Sequence, residues 1–184
     1  MEVKGRKVTY FLISKVINYP RKLTFAAKIK NPVSEGAPKL VVYVSCAIIE
    51  KDGMILVAQR SALGSLPLKW EFPGGKVEQG ETETQALIRE IREELSVHIV
   101  IEQRLETTKR DDGWREIVLV PFICSLPEGQ EIILTEHEQM RWLTHDQLYS
   151  VDWAEADLKV LHSYQNYSNR MTSNGANPKI GLFD

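Results

Sequence analysis

Residues 74–97 constrain the fold of this chain more than any other stretch. A Gly74-Gly75 pair follows Trp70-Glu71-Phe72-Pro73, and after a short polar turn the chain enters the run Ala86-Leu87-Ile88-Arg89-Glu90-Ile91-Arg92-Glu93-Glu94-Leu95. Thr82 and Gln85 are spaced as a capping box, so a helix is predicted over Thr82–Leu95. Advancing about 100° per residue from Ala86, Leu87, Ile91, Leu95 and Ile88 fall between about 100° and 200°. On the same wheel Glu93, Glu90 and Glu94 fall between about −20° and 80°. One face of the helix is therefore bound for a core, and the other gathers three carboxylates around the small Ala86.

The flanking sequence alternates between strand and helix signals. Leu40–Ile49 is a nearly continuous apolar run, as expected of a strand covered on both faces. Lys51-Asp52-Gly53 signals a turn, with Met54–Ala58 as the hairpin partner. Trp70–Phe72, Val97–Leu105, Trp114–Leu126, Glu131–Leu134 and Met140–Leu143 are read as further strands. Short helices are expected after Thr144, where Thr144 and Gln147 fit a second capping box, and near Ala154–Tyr164. Strands on both sides of a central helix, with helices at the end, give the fold class α/β: a sandwich built on a mixed sheet.

Charge divides the chain. Residues 1–39 hold nine Lys/Arg and two acids, a balance of +7, which leaves −9 for residues 40–184. The leader, 1–39, is read as a flexible basic arm, as upstream sequence from a misassigned start, or as a transit peptide. Residues 40–164 form the domain, and 165–184 a polar tail. An acidic domain is a poor ligand for nucleic-acid backbone, so a stable nucleic-acid partner is not expected. No apolar run approaches the roughly 18–20 residues of a spanning helix, so no membrane partner is expected. Cys46 and Cys124 sit in apolar runs and are read as core residues in a reducing compartment, the cytoplasm. A monomer or a homodimer fits equally well.

Three carboxylates at i, i+3 and i+4 repel one another. The face is either a solvated acidic surface or an oxygen-rich site for a hard divalent cation and a phosphate. No lysine relieves the repulsion, and the preceding glycines let backbone oxygens approach, which keeps the second reading open.

The spacing Gly75, five residues, Glu81, seven residues, Arg89-Glu90, Ile91, Arg92, Glu93-Glu94, Leu95, Ser96, Val97 resembles the Nudix box, with six fixed identities in register. Ala47-Ile48-Ile49-Glu50, Leu56-Val57-Ala58-Gln59-Arg60 and Trp70–Glu78 extend the resemblance to the MutT-like branch, on the side of CTP pyrophosphohydrolases and 8-oxo-dGTP diphosphatases. It covers about Leu40–Tyr164. One position departs: Ser96 stands where the pattern closes with glycine, at a left-handed helix cap, which puts the exit geometry in question and removes no ligand.

The resemblance implies a Nudix α/β/α sandwich with a catalytic strand-loop-helix. It implies that Glu90, Glu93 and Glu94 with the Gly74 carbonyl hold Mg²⁺, for which Mn²⁺ can substitute, against a polyphosphate. It further implies a general base that is either one of these helix glutamates or a later loop glutamate, Glu136 with Glu138 as its competitor, and Glu136 would also be a metal ligand. Arg89 and Glu81 are read as an orienting ion pair. Arg60, Lys76 and Arg115 match phosphate contacts, and Asp157 matches a position set against the base edge, with a helix N-cap as its plainer role. His98, His137, His145 and His162 lack metal-ligand spacing and are read as surface or structural. Trp70, Trp114, Trp142 and Trp153 are read as core or as walls of a base pocket. The implied function is Mg²⁺-dependent hydrolysis of nucleoside or deoxynucleoside triphosphates, CTP-like or modified, to monophosphate and pyrophosphate. The rivals are a Nudix hydrolase of a diphosphate derivative such as ADP-ribose, and a non-catalytic nucleotide- or protein-binding module.

Overall fold

The computed structural model describes residues 39–173; the basic leader and the last eleven residues lie outside them. In chain order the elements are β1 (Leu40–Lys51), β2 (Met54–Gln59), β3 (Trp70–Glu71), β4 (Gly74–Lys76), α1 (Glu83–Leu95), β5 (Val100–Arg104), β6 (Thr108–Asp111), β7 (Arg115–Ser125), β8 (Gln139–Leu143), a 3₁₀ helix (His145–Ser150) and α2 (Glu155–Ser173). The strands form one mixed sheet with the spine β3-β2-β1-β7-β5, while β4 joins β1, β6 joins β7 and β8 joins β2. β1 and β7 run parallel over eleven paired residues. The other pairings are antiparallel.

Alternation along β1 builds both layers of the core. Cys46 and Ile48 pack with Val57, Phe72, Trp153, Val160, Leu161 and Tyr164 on the α2 side. Ala47 and Ile49 pack with Leu56, Leu87, Ile91, Leu95, Val120 and Phe122 on the α1 side. A strand covered on both faces has no polar alternation, which explains why β1 reads as one apolar run. The result is an α/β/α sandwich.

Several elements depart from the sequence expectations. Glu131–Leu134 is not a strand. Ile133 N–H donates to Leu95 O (2.9 Å) and Thr135 N–H to Glu94 O (3.1 Å), so this segment satisfies carbonyls that α1 leaves open at its end. β4 was hidden because its Gly74-Gly75 pair carries no side-chain pattern, and β6 because Thr108-Lys109-Arg110-Asp111 is short and charged. The polar stretch from Gln165 is helical to Ser173. Ile88, placed on the core face by the wheel, is 46% exposed, whereas Glu94 is buried. The buried arc of α1 is rotated toward its carboxylates, with Ala86 buried and Glu94 reaching the glycine strand to accept Gly74 N–H.

Candidate active site

The site is assembled by the close approach of β4 to β1 and α1. Gly74 has φ +144°, and a Cβ there would lie 2.2 Å from Ser45 O, so only glycine lets β4 reach the center of the sheet. A Cβ on Gly75 would lie 2.2 Å from Glu90 Cδ, so the Glu90 carboxylate rests directly on the glycine backbone. Thr82 caps α1, accepting Gln85 N–H at 3.2 Å while the Gln85 side chain accepts Thr82 N–H at 2.8 Å. Ser45 Oγ donates to Glu83 O at 2.9 Å and ties the first turn to β1.

Arg89 organizes the acidic face. Its Nε and Nη2 donate to the two oxygens of Glu81 at 2.8 and 2.9 Å. Nη1 reaches Glu90 at 2.9 Å and Glu93 at 3.3 Å, and Nη2 also donates to Lys76 O at 3.1 Å. One planar guanidinium thus holds three carboxylates and the end of β4 in a fixed relation. Its hydrogen bonds, with the Glu78 turn, hold the Glu81 carboxyl down at about 2.

Glu94 has different surroundings. It is 8% exposed, and its Oε2 accepts Gly74 N–H at 2.9 Å. Burial pushes its pKa up to about 8, against the opposing pull of His137 and of the Gly74 hydrogen bond. Nearby carboxylates on Glu71 and Glu90 add to the rise. A buried carboxyl with a raised pKa beside other carboxylates has the electrostatics of a site completed by a cation. Among the described residues, no three His, Cys, Asp or Glu side chains converge as a ready-made cage. The donor set is hard oxygen and open on one side, which suits an ion that keeps water and substrate phosphate in its shell.

The remaining residues singled out by sequence are dispersed. Lys76 is exposed at the end of β4, where its backbone O accepts from Arg89 Nη2. Glu136 is exposed in the loop before β8, as is Glu138, whose N–H donates to Gln59 O at 2.9 Å. Arg60 is not a free cation: Nη1 pairs with Glu71, Nε donates to Ser65 O at 2.7 Å and Nη2 to Ser65 Oγ at 2.9 Å. Arg115 pairs with Asp112 at 3.1 Å and lies over the Trp114 ring. It stands opposite Leu40, whereas Lys76 stands opposite Val44, a separation of about 13 Å along β1. Asp157 is on the α2 face, in the first turn of α2 and not at its N-cap, where its buried carboxyl accepts Phe72 N–H at 3.0 Å. Burial pushes its pKa up to about 7.

Two residues escaped the sequence reading. His137, grouped with the structural histidines, has a side chain only 3% exposed, with Nε2 3.0 Å from Glu71 Oε1. Its buried Nδ1 has no hydrogen-bond partner among the described residues. Burial disfavors the imidazolium, but the Glu71 hydrogen bond and the charges of Glu94 and Glu71 outweigh it and raise the pKa. The signal for Glu71 was present: it alternates with the buried Trp70 and Phe72, so its side chain must face the α1 side.

The described sheet coincides with a known domain. The NUDIX domain family model matches residues 39–164. The CTP pyrophosphohydrolase of Escherichia coli (strain K12) is 34% identical over 125 residues, 67% of this chain and 91% of that protein. The 8-oxo-dGTP diphosphatase of Proteus vulgaris is 35% identical over 88 residues, 47% of this chain and 79% of that protein. The solution structure of MutT from methicillin-resistant Staphylococcus aureus 252 superimposes with a TM-score of 0.59 at 42% identity, covering 71% of this chain and 99% of that one. The family match spans the whole of the described sheet and helix α1, and the chain belongs to the Nudix family.

Proposed function

We propose that this protein is a nucleoside triphosphate pyrophosphohydrolase that uses Mg²⁺, with Mn²⁺ able to replace it, and releases nucleoside monophosphate and pyrophosphate. The observation that carries this reading is the packing of Glu90 on Gly75 and of Glu94 on the Gly74 N–H, with Arg89 bracing Glu81, Glu90 and Glu93. Glu90, Glu93, Glu94 and Glu136, with the Gly74 carbonyl, are the oxygen donors for the cation. When bound, the ion supplies charge neutralization and Lewis acidity at a phosphoanhydride.

The chain's own groups account for the rest. Lys76 places a positive charge beside the polyphosphate, at the edge of the glycine strand. Arg89 has every donor committed within the site, so it and Glu81 orient the carboxylates and take no proton. Glu136, exposed and close in sequence to the Thr135 anchor on α1, is the group that accepts the proton of the attacking water. Arg60 and Arg115 stand further back: Arg60 becomes a phosphate contact only by releasing Glu71, and Arg115 only for a ligand that extends along β1.

For the base, Asp157 offers one carboxyl oxygen beyond the one held by Phe72 N–H. With a pKa near 7 it accepts from an amino group when ionized and donates when protonated. Both the amino edge of cytosine and the altered edge of an oxidized guanine are therefore within its chemistry, in line with the CTP and 8-oxo-dGTP activities for which the two relatives are named. Buried free thiols at Cys46 and Cys124 and a nucleotide substrate favor a cytoplasmic location, with no nucleic-acid or membrane partner and a monomeric or homodimeric state. No helix among the described residues is long and apolar enough to cross a membrane.

The test is a panel of CTP, dCTP, 5-methyl-dCTP, 8-oxo-dGTP, dATP and ADP-ribose with Mg²⁺, scored for pyrophosphate. Release from one or two triphosphates, abolished by Glu93→Gln with Glu94→Gln, is the expected result. Cleavage of ADP-ribose alone, or nucleotide binding without turnover, replaces the reading.

A further inference from the structure

The loop that carries Glu136 is pinned at both ends by backbone. Thr135 N–H donates to Glu94 O at 3.1 Å and Glu138 N–H to Gln59 O at 2.9 Å. Between these points His137 is the one residue of the four from Thr135 to Glu138 that is not exposed. Its imidazole reaches inward to Glu71, and the register explains how. Ala58 on β2 pairs with Glu71 on β3 on one side and with Met140 on β8 on the other. Ala58 is fully buried and small, so a carboxylate from β3 and an imidazole from the loop before β8 can meet across its face. Each Glu71 oxygen is then used: Oε1 accepts from His137 Nε2, and Oε2 from Arg60, which in turn grips Ser65. Glu71 itself leads through Phe72 and Pro73 into the glycine strand.

We infer that His137 is a positioning residue, held by the Arg60–Glu71 pair, that fixes the Glu136 loop to the segment entering the Gly74-Gly75 strand and so sets the two halves of the site in register. The Arg60 guanidinium accordingly acts through Glu71, and the Ser65 turn is coupled to the same chain of contacts.

This inference rests on the hydrolase reading for its kinetic consequence but not for its structural one, and two measurements keep them apart. The first is amide hydrogen exchange of the Thr135 and Glu138 N–H groups in wild type, His137→Leu and His137→Gln. The glutamine amide retains a donor for Glu71; leucine does not. Exchange should quicken by about tenfold in the leucine variant and return to near wild type in the glutamine variant, the scale of one lost charge-assisted hydrogen bond. The second is steady-state turnover of the triphosphate that wild type cleaves best. His137→Leu should lower kcat by about 10–100-fold, the range for residues that orient ligating groups, with KM little changed, and His137→Gln should restore it. Glu71→Leu, which removes the acceptor, should reproduce the leucine result, and the His137→Leu/Glu71→Leu double variant should add nothing further; Glu71→Leu also stands in if His137→Leu does not fold. Wild-type exchange in both His137→Leu and Glu71→Leu, a loss confined to KM, or equal losses in His137→Leu and His137→Gln overturn the inference. Wild type that cleaves no triphosphate overturns the hydrolase reading instead, and the exchange comparison still decides whether His137 anchors the loop.

Discussion

At the scale of single residues, two adjacent glycines do different work. The missing Cβ of Gly74 faces backbone, Ser45 O and Cys46 Cα, whereas that of Gly75 faces the end of the Glu90 side chain. Backbone cannot step aside, so Gly74→Ala should lower stability by more than about 2 kcal/mol in denaturant unfolding. The Glu90 carboxylate can move, so Gly75→Ala should leave unfolding nearly unchanged yet lower kcat/KM by about 10–100-fold. Equal thermal destabilization of both variants would remove this distinction. Ser96 is the converse case. It holds φ 59° and ψ 27° and donates its N–H to Arg92 O at 3.1 Å, so the helix closes as a glycine would close it. Relief of left-handed strain is worth roughly 1–2 kcal/mol. The added freedom of glycine in the unfolded chain takes back roughly 0.4–1 kcal/mol. Ser96→Gly should therefore raise unfolding free energy by about 0.5–1 kcal/mol without changing turnover, and a neutral or negative shift would show the cap to be unstrained.

At the scale of elements, helix α1 was legible because two independent signals coincide: a capping box and an apolar arc. The long strands β1 and β7 were legible for a similar reason, since burial on both faces leaves an apolar run. Strand β4 was not, because pairing through glycine backbone has no signature in side chains. The segment near Ile133 misled for the opposite reason: its apolar residues serve the end of α1 and not a ladder. The carboxylates, glycines and Arg89 could be found by spacing because they lie within one strand and one helix. His137 could not, because its meaning depends on Glu71, 66 positions away across β2. Arg89 shows what joins these elements, with contacts to β4, to the Glu81 turn and to two positions on its own helix. Removing it should be visible locally before it is visible globally. In Arg89→Met the Glu81 carboxyl should titrate well above its value of about 2, moving toward 4.5, as read by carboxyl-carbon NMR. A Glu81 value that stays near 2 would assign the depression to the Glu78 backbone and leave Arg89 without the organizing part given to it here.

At the scale of the whole molecule, two buried acids from opposite layers clamp one short piece of chain. Asp157 from α2 accepts Phe72 N–H and Glu94 from α1 accepts Gly74 N–H, on either side of Pro73. The glycine strand is thus held from both faces of the sheet, and both acids have pKa values raised chiefly by burial, to about 7 and about 8. The sign follows from linkage. A carboxyl whose folded pKa lies above its ordinary value binds its proton more tightly in the folded state. Its contribution is complete below the ordinary values of 3.8 and 4.5 and is lost as the pH rises through about 7 and about 8. The metal-free protein should therefore lose stability steadily between pH 5 and pH 8.5, by about 2–3 kcal/mol from Asp157 alone. Asp157→Asn keeps an acceptor for Phe72 N–H but cannot ionize, so it should flatten that slope and gain relative stability at the alkaline end. Saturating Mg²⁺ should oppose the remaining slope, because a cation favors the ionized form of Glu94. Thermal unfolding of wild type and Asp157→Asn across this range, with and without Mg²⁺, decides the matter. Parallel slopes for the two proteins would mean that Asp157 stays ionized in the fold. The α2 clamp would then be a charged hydrogen bond, and the base contact proposed for that residue would be limited to acceptance.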